Sequence, residues 1–233
     1  MQSPLSAHNI TSSRVCGAEA THLLNTTVSF EDASLNLLIG SRRSGKNLLL
    51  RTLGLIDRPD RGEVAVLGRS TRGWSPRERM EIRSRHFGFV FESPFLLPSF
   101  SVVENVAMPF FKLTGASPDV ARERTAEALA LTGLSACSEA VAEELPLNIQ
   151  LRVALARAVV HRPMALFLEN IDALLRHEEL INFMELLAHI RRTMGCCILA
   201  TATNRDLASF SNRALEFSGG EITRDWNPGG LLS

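Results

Sequence analysis

The sequence predicts an α/β fold in which helices cover both faces of a mostly parallel β-sheet, with a helix-rich region inserted. Short apolar runs of strand length alternate with stretches of helical periodicity, as in sheets whose parallel strands are joined by helices. The stretch from about 90 to 160 is dominated by helical patterns and interrupts that alternation. The 233 residues, 45% of them hydrophobic, suffice for one sizeable core with a smaller lobe.

The predicted strands are apolar runs bounded by glycine or polar turn residues. They lie at 28–30, 35–39, 62–68, 87–91, 165–168 and 197–201, with a closing hairpin at 214–217 and 220–222. A helix is expected from residue 48, directly after a glycine-rich loop. Further helices are predicted at 77–85, 101–112, 118–132, 150–160 and 178–194.

We expect one domain with two lobes. The core lobe would comprise about 21–92 and 161–225, and the helical lobe about 93–160. Residues 1–20 and 226–233 are polar or irregular and are predicted to be loose tails. Arg152 and Arg157, on the helix at 150–160, are expected to face solvent or structural carboxylates.

Charge and cysteine content exclude several classes of function. Lys plus Arg and Asp plus Glu both number 25, so no net charge attracts nucleic acid, and we expect no nucleic-acid partner. The four cysteines and six histidines lack metal-ligand spacing, which predicts a reducing compartment and no metal site. The chain lacks an apolar run of membrane-spanning length and the pattern of a signal peptide, so a cytoplasmic location is expected.

A glycine-rich loop lies between the strand at 35–39 and the helix that follows. It fits the phosphate-loop pattern G-x-x-x-x-G-K up to its last position, where Asn47 replaces Ser or Thr. In such a loop backbone N–H groups and the helix N-terminus bind phosphate, and Lys46 would reach the outer phosphates. Asn47 is a weak ligand for Mg²⁺, so ATP with Mg²⁺ is predicted to bind weakly or not at all. The candidate nucleotide-binding residues here are Gly40, Ser41, Arg42, Arg43, Ser44, Gly45, Lys46, Asn47 and Leu48.

Further segments carry a resemblance to a known family. They are 53–64, 87–91, 95–109 and 152–158, followed by Arg162-Pro163. Over nearly its full length the chain resembles the ATP-binding subunits of ABC transporters. It is most similar to the branch that serves lipoprotein-release and MacB-type exporters, with the cell-division FtsE type close by. The segment 95–109 is the most diagnostic, because a generic phosphate-loop protein does not need it.

The resemblance implies a phosphate-loop NTPase core with a helical subdomain. In the family two such domains pair head to tail, and each nucleotide lies between one domain's phosphate loop and the other's signature loop. Membrane subunits dock in the groove between the lobes. The implied partners are integral-membrane permease subunits and a second ABC subunit in a homodimer or heterodimer, which places the chain peripherally at the inner face of the membrane.

Measured against the family, the chain departs at its chemical positions. Glu92 replaces a Gln that touches metal and water, and it is a further nucleotide-binding candidate. Glu169 and Asn170 replace the Asp and Glu that serve the metal and the attacking water. Ala202 replaces the His that contacts the terminal phosphate. Arg43 stands where Gly is usual, and we expect its side chain to crowd the turn.

The signature segment departs as well. The family's Leu-Ser-Gly-Gly-Gln becomes Leu145, Pro146, Leu147, Asn148 and Ile149. Proline has no N–H, and leucine and isoleucine offer no polar side chain to a phosphate. In addition, the aromatic residue that stacks on adenine has no clear counterpart before Val28.

These losses together predict a pseudo-ATPase without catalytic residues that supports or regulates a permease. Loss of a general base alone removes about 10²–10⁴-fold of rate. Two alternatives remain, an active ATPase with divergent motifs that uses Glu169, and a free-standing interaction protein. The segment at 87–111 is predicted to bind a cytoplasmic helix of the permease. Its candidate docking residues are Phe91, Phe95, Leu96, Leu97, Val106 and Met108.

Overall fold

The protein is described by a computed structural model that covers residues 3–16 and 19–229. The strands are β1 (Leu5–Cys16), β2 (Glu19–Phe30), β3 (Leu35–Gly40), β4 (Arg61–Val66), β5 (Arg69–Ser70), β6 (Phe87–Val90), β7 (Ala165–Leu168), β8 (Cys197–Ala202), β9 (Arg213–Ser218) and β10 (Glu221–Trp226). The helices are α1 (Lys46–Leu53), α2 (Pro76–His86), α3 (Val102–Thr114), α4 (Pro118–Leu131), α5 (Leu147–Val159) and α6 (His177–Met194).

A six-stranded sheet in the order β10-β9-β3-β8-β7-β6 forms the centre of the molecule. All neighbours in it are parallel except the closing hairpin of β9 and β10, so the predicted mostly parallel sheet is confirmed. Successive residues of a strand point to opposite faces. Leu37 accordingly packs into the core beneath the later helices, whereas Leu38 packs into a second core beneath α1.

The prediction that residues 1–20 form a loose tail is wrong for most of this segment. Strand β1 pairs with both β2 and β4, and with β5 they form a second, antiparallel sheet. The register shifts between Ala7 and Ile10, and Asn9 lies there with φ of 49°. Such a bulge breaks the alternation of apolar and polar residues, so the strand is hidden in the sequence.

The helices form where the sequence predicted them, with small changes at their ends. Helix α5 begins three residues before the predicted position, and β10 extends the closing hairpin to Trp226, the first residue of the predicted C-terminal tail. Residues 230–233 lie outside the described part. Among the described helices, none is both long and apolar enough to cross a bilayer. The division into two lobes stays a prediction.

Hydrogen bonds at the helix ends explain why α2 and α3 begin where they do. Ser75 and Glu78 form reciprocal hydrogen bonds at the start of α2, as Ser101 and Glu104 do for α3. These bonds satisfy backbone N–H groups that have no partner within the helix. The start of α3, which lies within the segment predicted to dock a permease, is therefore defined locally.

Candidate functional site

The glycine-rich loop connects the carboxyl end of β3 to the N-terminus of α1. Gly45 adopts a left-handed conformation with φ of 97°. A Cβ atom at this position would lie 2.5 Å from the carbonyl oxygen of His22 on β2, so only glycine fits. The strand, loop and helix predicted from the sequence are thus assembled, with β2 packed directly against the loop.

The expected crowding at Arg43 does not occur. Its backbone does not adopt a positive φ, and its side chain is exposed. Ser41 and Arg42 are exposed too, whereas Ser44 is buried. The turn therefore accommodates the arginine by directing it outward.

Lys46 is the most deeply buried charged side chain of the loop. It is fully buried, and its Nζ donates a hydrogen bond to the Ser41 carbonyl oxygen at 2.9 Å. Burial lowers the pKa of Lys46, although the carboxylate of Asp172 opposes this effect. Asp172 itself accepts hydrogen bonds from Thr203 and from the backbone of Asn204.

A first chain of polar contacts links the loop to the ends of β6 and β7. The amide nitrogen of Asn47 donates to Asn170 Oδ1 at 3.2 Å, and the amide nitrogen of Asn170 donates to Glu92 Oε2 at 2.7 Å. The other carboxylate oxygen of Glu92 accepts from the Arg42 guanidinium at 2.9 Å. The positions predicted to serve the metal and the attacking water are therefore brought together, but they bind one another.

A second chain runs behind the first. Arg51 of α1 forms an ion pair with Glu169 at 3.1 Å and with Asp57 at 2.9 Å, and Asp57 also pairs with Arg14 of β1 at 3.1 Å. Burial raises the pKa of Glu169, and Arg51 opposes that shift. Burial acts to lower the pKa of Arg51, but the hydrogen bonds and charges of Asp57 and Glu169 outweigh it and raise the pKa.

Arg51 and Asp57 were not identified as site residues from the sequence. Arg51 follows Asn47 by four residues on α1, so the two side chains share one face of the helix. That spacing is the signal from which the arginine could have been predicted to reach the end of β7. Asp57 lies in the loop after α1 and gave no comparable signal.

Asn170 and Ala202 lie at neighbouring strand ends. The Asn170 backbone adopts φ of 47°, and its N–H donates to the Thr201 hydroxyl at 2.8 Å. Ala202 ends β8 and is fully buried, with only a methyl group as its side chain. Neither side chain can accept a proton as a base.

The segment 145–149 forms the start of α5. Pro146 precedes the first helical residue, and its side chain makes no capping hydrogen bond. The Gln150 side chain donates to the Leu145 carbonyl oxygen at 2.8 Å. Leu147 is 40% exposed, so the helix presents an apolar side chain at its N-terminus.

An exposed apolar surface lies on the segment between β6 and the end of α3. We call it the docking face, and it consists of Phe95, Leu97, Phe100, Met108, Phe111 and Leu113. Phe95 is 68% exposed, and its ring contacts that of partly buried Phe91 at a centroid distance of 5.9 Å. Leu96 is partly buried as well. Val106 was predicted to belong to this surface, but it is 0% exposed and packs in the core.

The Phe95 backbone adopts a conformation that is unfavourable for a residue with a bulky side chain. Its φ is 46°, and the Arg157 guanidinium donates to the carbonyl oxygens of Phe95 at 2.7 Å and Pro94 at 2.6 Å. The prediction that Arg157 faces solvent or a carboxylate is therefore wrong. Its hydrogen bonds hold the loop that displays the Phe95 ring.

A groove of about 270 Å³ lies beside this face, between α2, β6, α3 and the end of α5. Met80 of α2 and Leu113 of α3 line it and are exposed. His161 lies in the groove with Nε2 3.1 Å from the Phe87 carbonyl oxygen, and burial lowers its pKa.

Comparison with known proteins agrees with this arrangement of sheet, loop and helices. The profile of the ABC transporter family matches residues 23–171. The chain belongs to the ABC transporter family, and its match is to the ATP-binding domain. This confirms the resemblance seen in the sequence.

Two curated relatives are lipoprotein-releasing system ATP-binding proteins LolD. The protein of Bordetella pertussis is 34% identical over 203 residues, which cover 87% of each chain. The protein of Bordetella avium is 35% identical over 185 residues, which cover 79% of this chain and 80% of the relative.

Solved structures confirm the phosphate-loop NTPase fold of ABC ATPases. The ATP-binding cassette MJ0796, solved as a dimer bound to ADP and Pi, superimposes with a TM-score of 0.85 at 27% identity. The match covers 97% of this chain and 100% of that one. The structure of cbiO1 from Clostridium perfringens gives a TM-score of 0.87 at 22% identity, covering 98% and 90%, and shows the fold alone.

Proposed function

We propose that the chain is an ATP-binding-domain subunit that no longer hydrolyses ATP, assembles with a membrane permease and supports or regulates it. The relatives called lipoprotein-releasing system ATP-binding proteins favour a transporter of that kind. Assembly with the permease would hold the chain at the cytoplasmic face of the membrane.

One observation carries the proposed loss of hydrolysis: the side chains that would act on the nucleotide are bound to one another. Asn170, at the position of the base, cannot accept a proton and donates its amide to Glu92. Glu169, the only carboxylic acid directly beside it in the sequence, is paired with Arg51. A general base must reach the attacking water, and neither side chain is free to do so.

A partner subunit would not restore the reaction. The start of α5 would face the partner's nucleotide with Pro146 and Leu147, which supply neither a hydroxyl nor a glycine backbone. We propose that the chain pairs with itself or with another ABC subunit, and that both sites of either pair are impaired. ATP-driven work in its complex would then need a separate pair of intact subunits.

Binding of ATP itself is proposed to be weak. Lys46 and the loop amides remain as an anion site. Asn47 provides no hydroxyl, and Glu92 adds negative charge where the family has a neutral Gln. Micromolar fluorescent ATP with Mg²⁺ is therefore expected to show no saturable binding, and a tight complex that requires Mg²⁺ would favour an active ATPase.

The active ATPase remains the second candidate, and the partly buried carboxylate of Glu169 favours it. Arg51 would have to release this side chain before it could act on water. The third candidate, a free-standing interaction protein, gives no reason for the segment 87–109 to keep the form that it has in ABC transporter subunits. The held conformation of Phe95 argues for a use of the docking face, because strained backbone persists where the surroundings enforce it.

The docking proposal is tested by co-purification of the tagged chain with the permease from membranes. The double variant Phe95→Asp, Leu97→Asp should lose the permease, because it places two charges on the apolar face. Leu24→Asp is the matched control, since Leu24 is 41% exposed and lies on β2, outside the docking face. Retention of the permease by the double variant at the level of the control would refute docking through this face.

A further inference from the structure

Magnesium does not fit the donor set around the phosphate loop. Mg²⁺ prefers carboxylate and other hard oxygen ligands in octahedral geometry, and it usually keeps several waters. Here the carboxylates of Glu92 and Glu169 accept from arginines, at 2.9 and 3.1 Å. Among the residues that the structure describes, no group of three or more His, Cys, Asp or Glu side chains could hold a metal ion.

In the part of the chain that the structure describes, the four carboxylates close to the loop each bind a partner within the protein. Glu92 is held by Arg42 and Asn170, and Glu169 by Arg51. Asp57 is paired with Arg14 and Arg51. Asp172 accepts hydrogen bonds from Thr203 and from the backbone of Asn204.

Two side-chain oxygens of the phosphate loop are uncommitted. Within the described residues, Ser44 Oγ and Asn47 Oδ1 are buried and have no hydrogen-bond partner. Both are neutral oxygens, one of a hydroxyl and one of an amide, and a divalent cation beside either would also meet the positive charges of Lys46, Arg42 and Arg51. Like charges brought close together repel, most strongly where water is excluded, as around the fully buried Lys46.

We propose that two arginines have replaced the divalent cation of this site. Arg51 neutralises Glu169 and Arg42 neutralises Glu92, so the loop retains its shape and charge balance without Mg²⁺. This inference rests on the proposed loss of hydrolysis and gives a structural reason for it. It is tested without nucleotide, so its outcome is separate from any result on ATP turnover.

The test is a titration of the full chain with Mn²⁺. Binding is measured as the decrease in the electron paramagnetic resonance signal of free Mn²⁺. The wild type should bind no Mn²⁺ at this site, because both carboxylates are paired. The double variant Arg42→Gln, Arg51→Gln frees both, and its Mn²⁺ affinity should rise by about tenfold or more, because the affinity of an oxygen-ligand site increases with the number of charged ligands. Bound Mn²⁺ should also raise the Tm of this variant and leave the Tm of the wild type unchanged.

Matched variants identify the residues responsible. Adding Glu92→Gln and Glu169→Gln to the double variant should abolish the gain. Arg42→Gln alone guards against misfolding, because Arg42 is largely exposed and no core packing is lost. It should gain weaker Mn²⁺ binding that Glu92→Gln removes.

Two results would overturn the replacement. One is wild-type Mn²⁺ binding that disappears in Glu92→Gln or Glu169→Gln, since the carboxylates would then already serve a cation. The other is a folded Arg42→Gln, Arg51→Gln variant, or a folded Arg42→Gln variant, with no gain in affinity. Phosphate release from ATP would test the loss of hydrolysis separately and would leave the Mn²⁺ result unchanged.

Discussion

The side chains of the phosphate-loop site differ from those of the docking face in what they contact. At the phosphate-loop site, charged and amide groups from the loop, from α1 and from the residues after β6 and β7 bind one another in two chains of contacts. At the docking face, apolar side chains are exposed, and an arginine holds the most exposed of them outward. A group bound within the protein is withdrawn from ligands, whereas an exposed apolar surface favours contact with a partner. The difference supports a subunit that has kept an interface and lost a reaction.

The largest effect on stability is expected on α3, where a substitution in the core is compared with one on the docking face. Val106→Asp buries an unpaired carboxylate and should lower the free energy of unfolding by on the order of several kcal/mol. Met108→Asp, two residues along α3, should change it by less than about 0.5 kcal/mol, because Met108 is 42% exposed. Urea denaturation measures both. Equal losses in the two variants would mean that this part of α3 is not divided into a buried and an exposed side.

A second prediction concerns the support of Phe95. Arg157→Met removes both donors to the carbonyl oxygens of Pro94 and Phe95, which should destabilise the protein by about 1–3 kcal/mol. It should also weaken permease binding, because the Phe95 ring is no longer held outward. Arg152→Met on the same helix is the control, and it should leave binding intact. Unchanged permease binding in a folded Arg157→Met variant would show that the strained conformation of Phe95 is not needed for docking.

A third prediction concerns the buried charge of the loop. Lys46→Met should raise the Tm near neutral pH, because it removes a charge that burial disfavours, as the lowered pKa shows. The unfolded state binds more protons than the native state between the lowered pKa and the ordinary value of 10.5. The stability advantage of Lys46→Met over the wild type should therefore shrink as pH rises through that window. A lower Tm for Lys46→Met at neutral pH would show that its hydrogen bond to Ser41 outweighs the cost of burial.

The smallest effect concerns His161 in the groove beside the docking face. Burial lowers its pKa below 6.5, although its contact with Phe87 opposes the shift. The native state then binds fewer protons than the unfolded state, so stability is lost as pH falls from 6.5 through the lowered pKa. His161→Gln should show a smaller loss of stability on acidification. Parallel pH profiles of the two proteins would mean that the groove does not disfavour the charged imidazole.

Most of the fold could be predicted from the sequence, because its elements are signalled locally. Apolar runs such as 35–39 and 165–168 mark the parallel strands, and Ser75-Pro76 marks the start of α2. The antiparallel sheet could not be predicted, since the bulge near Asn9 hides the periodicity of β1.

The site was predictable as a set of positions but not as a set of contacts. The loop pattern and the strand ends located Asn47, Glu92, Glu169 and Asn170. The spacing of Asn47 and Arg51 puts both side chains on one face of α1. Which partners they bind there depends on how α1 packs against the ends of β6 and β7, and no local pattern encodes that packing. Burial of Val106 likewise follows from the helix face that packs on the core, which residue type alone does not reveal.

The proposed loss of hydrolysis is tested most directly by steady-state phosphate release from ATP, measured on the chain assembled with its permease. We expect wild type and Lys46→Met to release phosphate at the same background rate. Asn170→Glu with Ala202→His should not raise that rate, because the signature segment and the hydroxyl at position 47 are still missing. Wild-type turnover at the rate of a working transporter, abolished by Lys46→Met, would contradict the account.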